Sequence, residues 1–185
     1  MIIYLDNAAT THLDEDVLEA MLPYMQQEYG NPSAIYGLGR RASEAMDEAR
    51  RKVAETIGAD LEEIYFTSGG SEADNTAIRG VAKANKNRGR HIITTQIEHK
   101  AVLETCKALE KEGFEITYLK VNENGLVDLD ELKRSIRADT ILISIMFANN
   151  EVRNDSTNLR DWKNCQKIWD CFSYGCCASD WECSY

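Results

Sequence analysis

Apolar and polar positions along this chain follow two rhythms. One is helical. Residues 14–29, "DEDVLEAMLPYMQQEY", place Val17, Met21, Tyr24 and Met25 at three- and four-residue intervals, as an amphipathic helix does. Residues 40–58, "RRASEAMDEARRKVAETIG", are dense in Ala, Glu and Arg, with Gly58 where a helix would be capped. The stretches 71–86, 99–112 and 128–137 carry the same period. The other rhythm is that of short, apolar, β-branched runs: 2–5 "IIYL", 63–68 "EIYFTS", 91–96 "HIITTQ", 115–120 "EITYLK" and 140–146 "TILISIM". The last is apolar almost throughout, which predicts a central strand buried on both faces. From residue 63 onward strand and helix patterns alternate, and that predicts an α/β fold built on a mostly parallel sheet with helices on both faces. No repeat, linker or boundary interrupts residues 1–150.

Composition narrows the function. A formal charge of −10 argues against nucleic acid or an anionic membrane as a main partner, since both reward clustered Lys and Arg. "MIIYLDNAATT" has no basic n-region and carries an early Asp6, so no signal peptide is expected. No run approaches the roughly 20 apolar residues of a membrane span. A cytoplasmic protein is the expectation.

Three places could carry chemistry. In "YFTSGGSEADN" (65–75) a strand pattern runs into Ser68-Gly69-Gly70-Ser71, and Glu72 opens a helix pattern. Glycines let a backbone approach a ligand, and free N–H groups at a helix start attract anions, with Thr67, Ser68 and Ser71 as hydroxyl donors. This reads as a phosphate cradle or, more plainly, as a tight turn with Ser71 as N-cap. It lacks the Gly-Lys-Ser/Thr ending of a P-loop. His99, in "TTQIEHKAVLET", stands where a strand gives way to a helix, at the sheet edge where open α/β folds bind ligands. It could stack on a flat cofactor or carry protons, or simply face solvent. Asn149 and Asn150, in "FANNE", follow the buried strand and suggest a turn or a polar contact to a ligand. All three fall at one edge of one sheet.

"YLDNAATT", "GNPSAIYGLG", "FTSGGSEADN", "IEHKAVL" and "MFANNE" together resemble, in order and spacing, the first part of the NifS/IscS-like cysteine desulfurases. These are class V aminotransferase-family enzymes of PLP fold type I. The resemblance covers about residues 1–152 and implies the N-terminal part of the large domain, incomplete here. It implies pyridoxal 5'-phosphate (PLP) as cofactor, L-cysteine as substrate, L-alanine and enzyme-bound sulfur as products, a sulfur-acceptor or Fe–S scaffold protein as partner, and a homodimer. Carried over by position, Gly70 and Ser71 bind the PLP phosphate. His99 stacks on the pyridine ring and moves protons, and Asn150 lies beside the phenolic oxygen. Asn31, Pro32 and Ser33 match a loop at the site's mouth, while Tyr36 stands where many members have His. Selenocysteine lyases and other class V aminotransferases share much of this pattern. The cofactor-bearing lysine, the aspartate on the ring nitrogen and the sulfur-accepting cysteine lie beyond it in the family. This chain is therefore expected to hold PLP non-covalently at best and to be inactive alone. A non-enzymatic truncated paralogue, acting as scaffold or binding partner, is the alternative.

Beyond residue 152 the composition changes. Residues 164–185 hold five of the six cysteines and two of the three tryptophans, whereas residues 1–150 hold one cysteine and no tryptophan. The spacing 165, 171, 176, 177, 183 lacks the paired C-x-x-C of a zinc or cluster site, so no metal is expected. Cys106 reads as a small apolar residue on a helix face. Residues 153–185 are expected to be an aberrant, disordered or non-native tail: the family's sequence read in a shifted frame. The family continues with a Gly-Thr-Ile-Gln-Pro-like stretch, which suitable codons for Arg153 onward encode when read one base later. Tryptophan's TGG read that way begins GG and gives glycine, so Trp162, Trp169 and Trp181 each become a residue the family tolerates there.

Overall fold

The computed structural model describes residues 3–7, 9–146, Asn149 and, for the backbone alone, 172–175. The chain divides into two compact units, Met1–Asp6 with Thr10–Phe66 and Asn7–Ala9 with Thr67–Tyr185.

In the first unit, α1 (Glu15–Gln26) begins at Asp14, whose carboxylate accepts the Asp16 N–H at 2.9 Å. Its apolar positions have the predicted spacing, yet no residue of the helix is buried. Helix α2 (Gly37–Ile57) buries Gly39, Ala42 and Ala54. It ends at Gly58, whose φ of 68° is the left-handed conformation that glycine adopts without a Cβ penalty. Arg50 of α2 holds the segment that follows: its Nε donates to the Ile64 carbonyl at 3.2 Å, and its guanidinium lies 5.3 Å from the Phe66 ring centroid. Two predicted strands are absent here. Residues 3–5 carry no regular structure, and residues 61–63 form a 3-10 turn followed by an extended but unpaired run. Their sequences suit strands, but no described neighbouring strand accepts or donates the ladder hydrogen bonds that would make them so.

The second unit holds α3 (Gly70–Ala84), β1 (His91–Thr95), α4 (Lys100–Lys111), β2 (Glu115–Leu119), α5 (Leu129–Ser135), β3 (Thr140–Met146) and β4 (Phe172–Gly175). The sheet order is β2-β1-β3-β4 and every pairing is parallel. All seven residues of β3 are buried, as its almost wholly apolar sequence predicted, and so are all five of β1. One face packs Ile92 and Leu142 against Ile78 and Ala82 of α3 and Val102, Cys106 and Leu109 of α4. The opposite face packs Ile93, Ile143 and Ile145 against Leu132 of α5. Helices therefore cover both faces, and the carboxyl ends of β1 and β3 lie side by side. Among the described residues no helix is long and apolar enough to cross a membrane.

Candidate functional site

The turn into α3 differs in detail from the sequence reading. The helix opens at Gly70, with Gly69 as its N-cap, so Ser71 lies inside the first turn and is not the cap. The Gly69 carbonyl accepts the N–H groups of Glu72 and Ala73, each at 3.1 Å. The Gly70 and Ser71 N–H groups are left as the outward donors at the positive end of the helix. Glu72 reaches back to take the Ser68 N–H at 2.7 Å and the Ser68 hydroxyl at 2.6 Å, which holds its carboxyl below the usual range. The Thr67 hydroxyl donates to the Gly69 carbonyl at 3.2 Å. Of the three predicted hydroxyl donors, two are thus taken by the turn and Ser71 alone remains. A Cβ built on Gly69 or Gly70 would meet nothing within 4 Å. Among the described residues nothing occupies the space those Cβ atoms would take, so the open space beside the pair suits a ligand, and a phosphate is the group the donors fit.

His99 is the N-cap of α4, and its Nδ1 accepts the Ala101 N–H at 3.1 Å. That bond places the ring proton on Nε2 and leaves an exposed imidazole with a donor facing outward. Helices α3 and α4 are joined beneath by Thr105, whose hydroxyl donates to Asn75 Oδ1 at 2.6 Å, while Asn75 Nδ2 donates to the Ser71 carbonyl at 2.8 Å. One half-buried amide therefore ties the helix that carries the cradle to the helix that His99 caps. Burial pushes the carboxyl of Asp74, the residue before that amide, above its ordinary range, and neighbouring His99 draws it partly back.

Asn149 is buried, at 6% exposure, and donates to the Ile97 carbonyl at 2.9 Å and to Met146 Sδ at 3.4 Å. It ties the end of β3 to the loop before α4. Asn150 lies outside the described residues. Asn31 and Ser33, in the first unit, form an Asx turn in which the Ser33 N–H donates to Asn31 Oδ1 at 2.9 Å. Cys106 is fully buried in the core, and burial pushes its thiol up to about 12, so it packs as a small apolar residue and offers no thiolate.

The residue the sequence reading missed is Glu98. It is 7% exposed, and its Oε1 accepts both the Thr95 hydroxyl at 2.9 Å and the Met146 N–H at 2.8 Å. Burial raises its carboxyl to about 7, opposed by those two hydrogen bonds and reinforced by Asp74. A Glu between an apolar residue and a histidine looks in sequence like any helix-start acid. Only the strand pairing puts it under the end of β3.

Comparison with known proteins places the chain in a family. The aminotransferase class-V sequence profile matches residues 3–158. A cysteine desulfurase IscS from Methanosarcina thermophila is 58% identical over 150 residues, covering 81% of this chain and 37% of that protein. One from Dictyoglomus turgidum is 57% identical over the same length, covering 38% of that protein. Among solved structures, a NifS-like protein superposes with a TM-score of 0.78 at 47% identity, covering 81% of this chain and 41% of the other. The structure of SspA in complex with cysteine gives 0.75 at 42% identity, covering 80% and 43%. This chain thus spans under half the length of the relatives it matches. On its matched residues and on its fold, it belongs to the aminotransferase class-V family.

Proposed function

We propose that this chain forms the phosphate cradle and ring-facing part of a PLP-dependent cysteine desulfurase. The observation that carries this reading is the Gly69-Gly70 pair at the start of α3, open to space and flanked by outward N–H donors, on a helix that Asn75 and Thr105 tie to α4, whose N-cap is the exposed His99. The Gly70 and Ser71 N–H groups and the Ser71 hydroxyl would hold the cofactor phosphate. His99 would lie on the pyridine ring with its Nε2 proton available for transfer, and Asn150 would contact the phenolic oxygen. When bound, PLP supplies the electron sink for breaking bonds at the amino acid's Cα. Family membership and the names of the similar proteins support L-cysteine as substrate, with L-alanine and a protein-bound sulfur as products. A sulfur-acceptor protein as partner and a homodimer are parts of the same proposal.

Titration of the 185-residue chain with PLP, followed by absorbance and by competition with inorganic phosphate, tests the cradle. Gly70→Ala is expected to weaken PLP binding at least tenfold while leaving the melting temperature unchanged or higher. Its added methyl meets nothing in the chain and favours the helix. Equal affinity in the variant would overturn the cradle. We further propose that this chain alone releases no sulfide from L-cysteine or L-selenocysteine. The exposed apolar positions of α1 favour a scaffold role as the second reading. Release at rates comparable to a full-length homologue would overturn both the inactivity and that second reading.

A further inference from the structure

Two loops meet at the carboxyl edge of the sheet, and one side chain joins them. The loop between β1 and α4 presents His99, and Asn149 follows the end of β3. Glu98 belongs to the first and accepts the Met146 N–H of the second at 2.8 Å through the same Oε1 that takes the Thr95 hydroxyl at 2.9 Å. Asn149 returns the connection by donating to the Ile97 carbonyl at 2.9 Å. An acid 7% exposed beneath a binding edge is costly to keep unless its hydrogen bonds are worth more than a hydrophobic side chain of the same size would be. Among the described residues, the hydrogen bonds of His99, the next residue, are all local to the start of α4, so they do not fix the loop against β3.

We propose that Glu98 is the positioning residue of this site: its carboxyl latches the loop presenting His99 to the end of β3, and the strength of that latch sets how firmly the site holds PLP. The second half of this statement rests on the PLP reading above; the latch itself does not. A carboxylate accepts the two hydrogen bonds more strongly than a neutral carboxyl, so the latch tightens as Glu98 loses its proton. The titratable groups facing it are Asp74 from α3 and Cys106 from α4, while β3 contributes backbone. Cys106 stays protonated throughout the neutral range. Asp74 and His99 are retained in every variant below.

The test uses the full chain labelled with 15N-methionine, of which it has five. Between pH 5.5 and 8.5 the Met146 amide proton is expected to move downfield with a midpoint near 7, and that movement is expected to vanish in Glu98→Gln. A Met146 amide that does not titrate, or titrates identically in the Gln variant, overturns the latch. PLP titrations of the same samples at pH 8 address the second half. Glu98→Ala is expected to weaken binding at least tenfold, and Glu98→Gln, which keeps the acceptor oxygen, less than threefold. Equal PLP affinity for wild type and both variants overturns the positioning role. A wild-type chain that shows the Met146 titration but binds no PLP overturns the cofactor reading and leaves the latch standing. The wild-type titration needs no variant to fold.

Discussion

The carboxyl of Glu98 makes the stability of the second unit depend on pH in the direction opposite to that of an ordinary paired acid. Burial raises it from 4.5 to about 7, so the folded chain binds this proton more tightly than the unfolded chain does. Its contribution is complete below about 4.5 and is lost as pH rises through about 7. Relative to Glu98→Gln, which does not titrate, wild type is expected to lose roughly 2 kcal/mol of unfolding free energy between pH 5 and pH 8. Urea unfolding of both proteins at the two pH values measures it, and parallel changes in the two would show that the acid is not titrating as the geometry requires. The same residue shows what the sequence made legible at this scale. Gly70 and His99 are conspicuous because their residue types are unusual where they stand, at the starts of α3 and α4. Glu98 has an ordinary residue type and an unusual place. That place depends on β1 and β3 lying side by side, a pairing between residues about fifty apart that no local pattern encodes.

At the scale of elements, burial decides which patterns were readable. β1, β3, α3 and α4 were legible because each packs its apolar residues against the others, so periodicity and structure answer to one core. The patterns at 2–5 and 63–68 are as strand-like by composition, yet Ile3, Tyr65 and Phe66 are exposed at 75, 81 and 50% and no described strand pairs with them. Strand propensity reflects fit to a pleated, half-buried surface, and where the surface is missing the propensity has nothing to act on. Tight spots inside the legible core follow the reverse logic, since backbone approach there leaves no freedom. The loop into β1 passes Gly89 so closely over the loop into β3 that a Cβ would press on the Asp139 carbonyl, a backbone atom that cannot swing aside. Gly89→Ala is expected to destabilise by about 1–3 kcal/mol. Gly80→Ala, at an exposed position in α3 where a methyl meets nothing, is expected to stabilise by roughly 0.5–1 kcal/mol. Opposite shifts of the urea midpoint are the expected outcome. Equal shifts would mean that the two loops do not cross as described.

For the whole molecule the open matter is residues 153–185, and we propose that they are the family's sequence read one base out of frame. The compositional break is abrupt: Trp162, Trp169 and Trp181 are the chain's three tryptophans, and five of its six cysteines lie beyond residue 164. Tryptophan has a single codon, and one base later it can only begin a glycine codon, so three of the restored residues are fixed without any choice of codon. The described backbone of the segment is a separate matter, since it belongs to the frame as given. The backbone of Phe172–Gly175 pairs parallel with Ile143–Met146, and residues 147–171 between them suffice for the crossover that a parallel pairing demands. A strand at that position extends the sheet on the side of β3 away from β1, where an α/β fold of this order adds its next member. On this reading the tail's thiols are incidental and hold no metal or disulfide, and a corrected frame would carry the sheet onward through a helix in residues 153–168. Resequencing the DNA around codons 150–153 is the measurement. The expected result is one base too many, followed in the restored frame by a desulfurase-like sequence that includes a cofactor-bearing lysine. Confirmed bases with no family resemblance in any downstream frame would overturn the proposal and return the Cys/Trp segment to the chain as a feature in its own right.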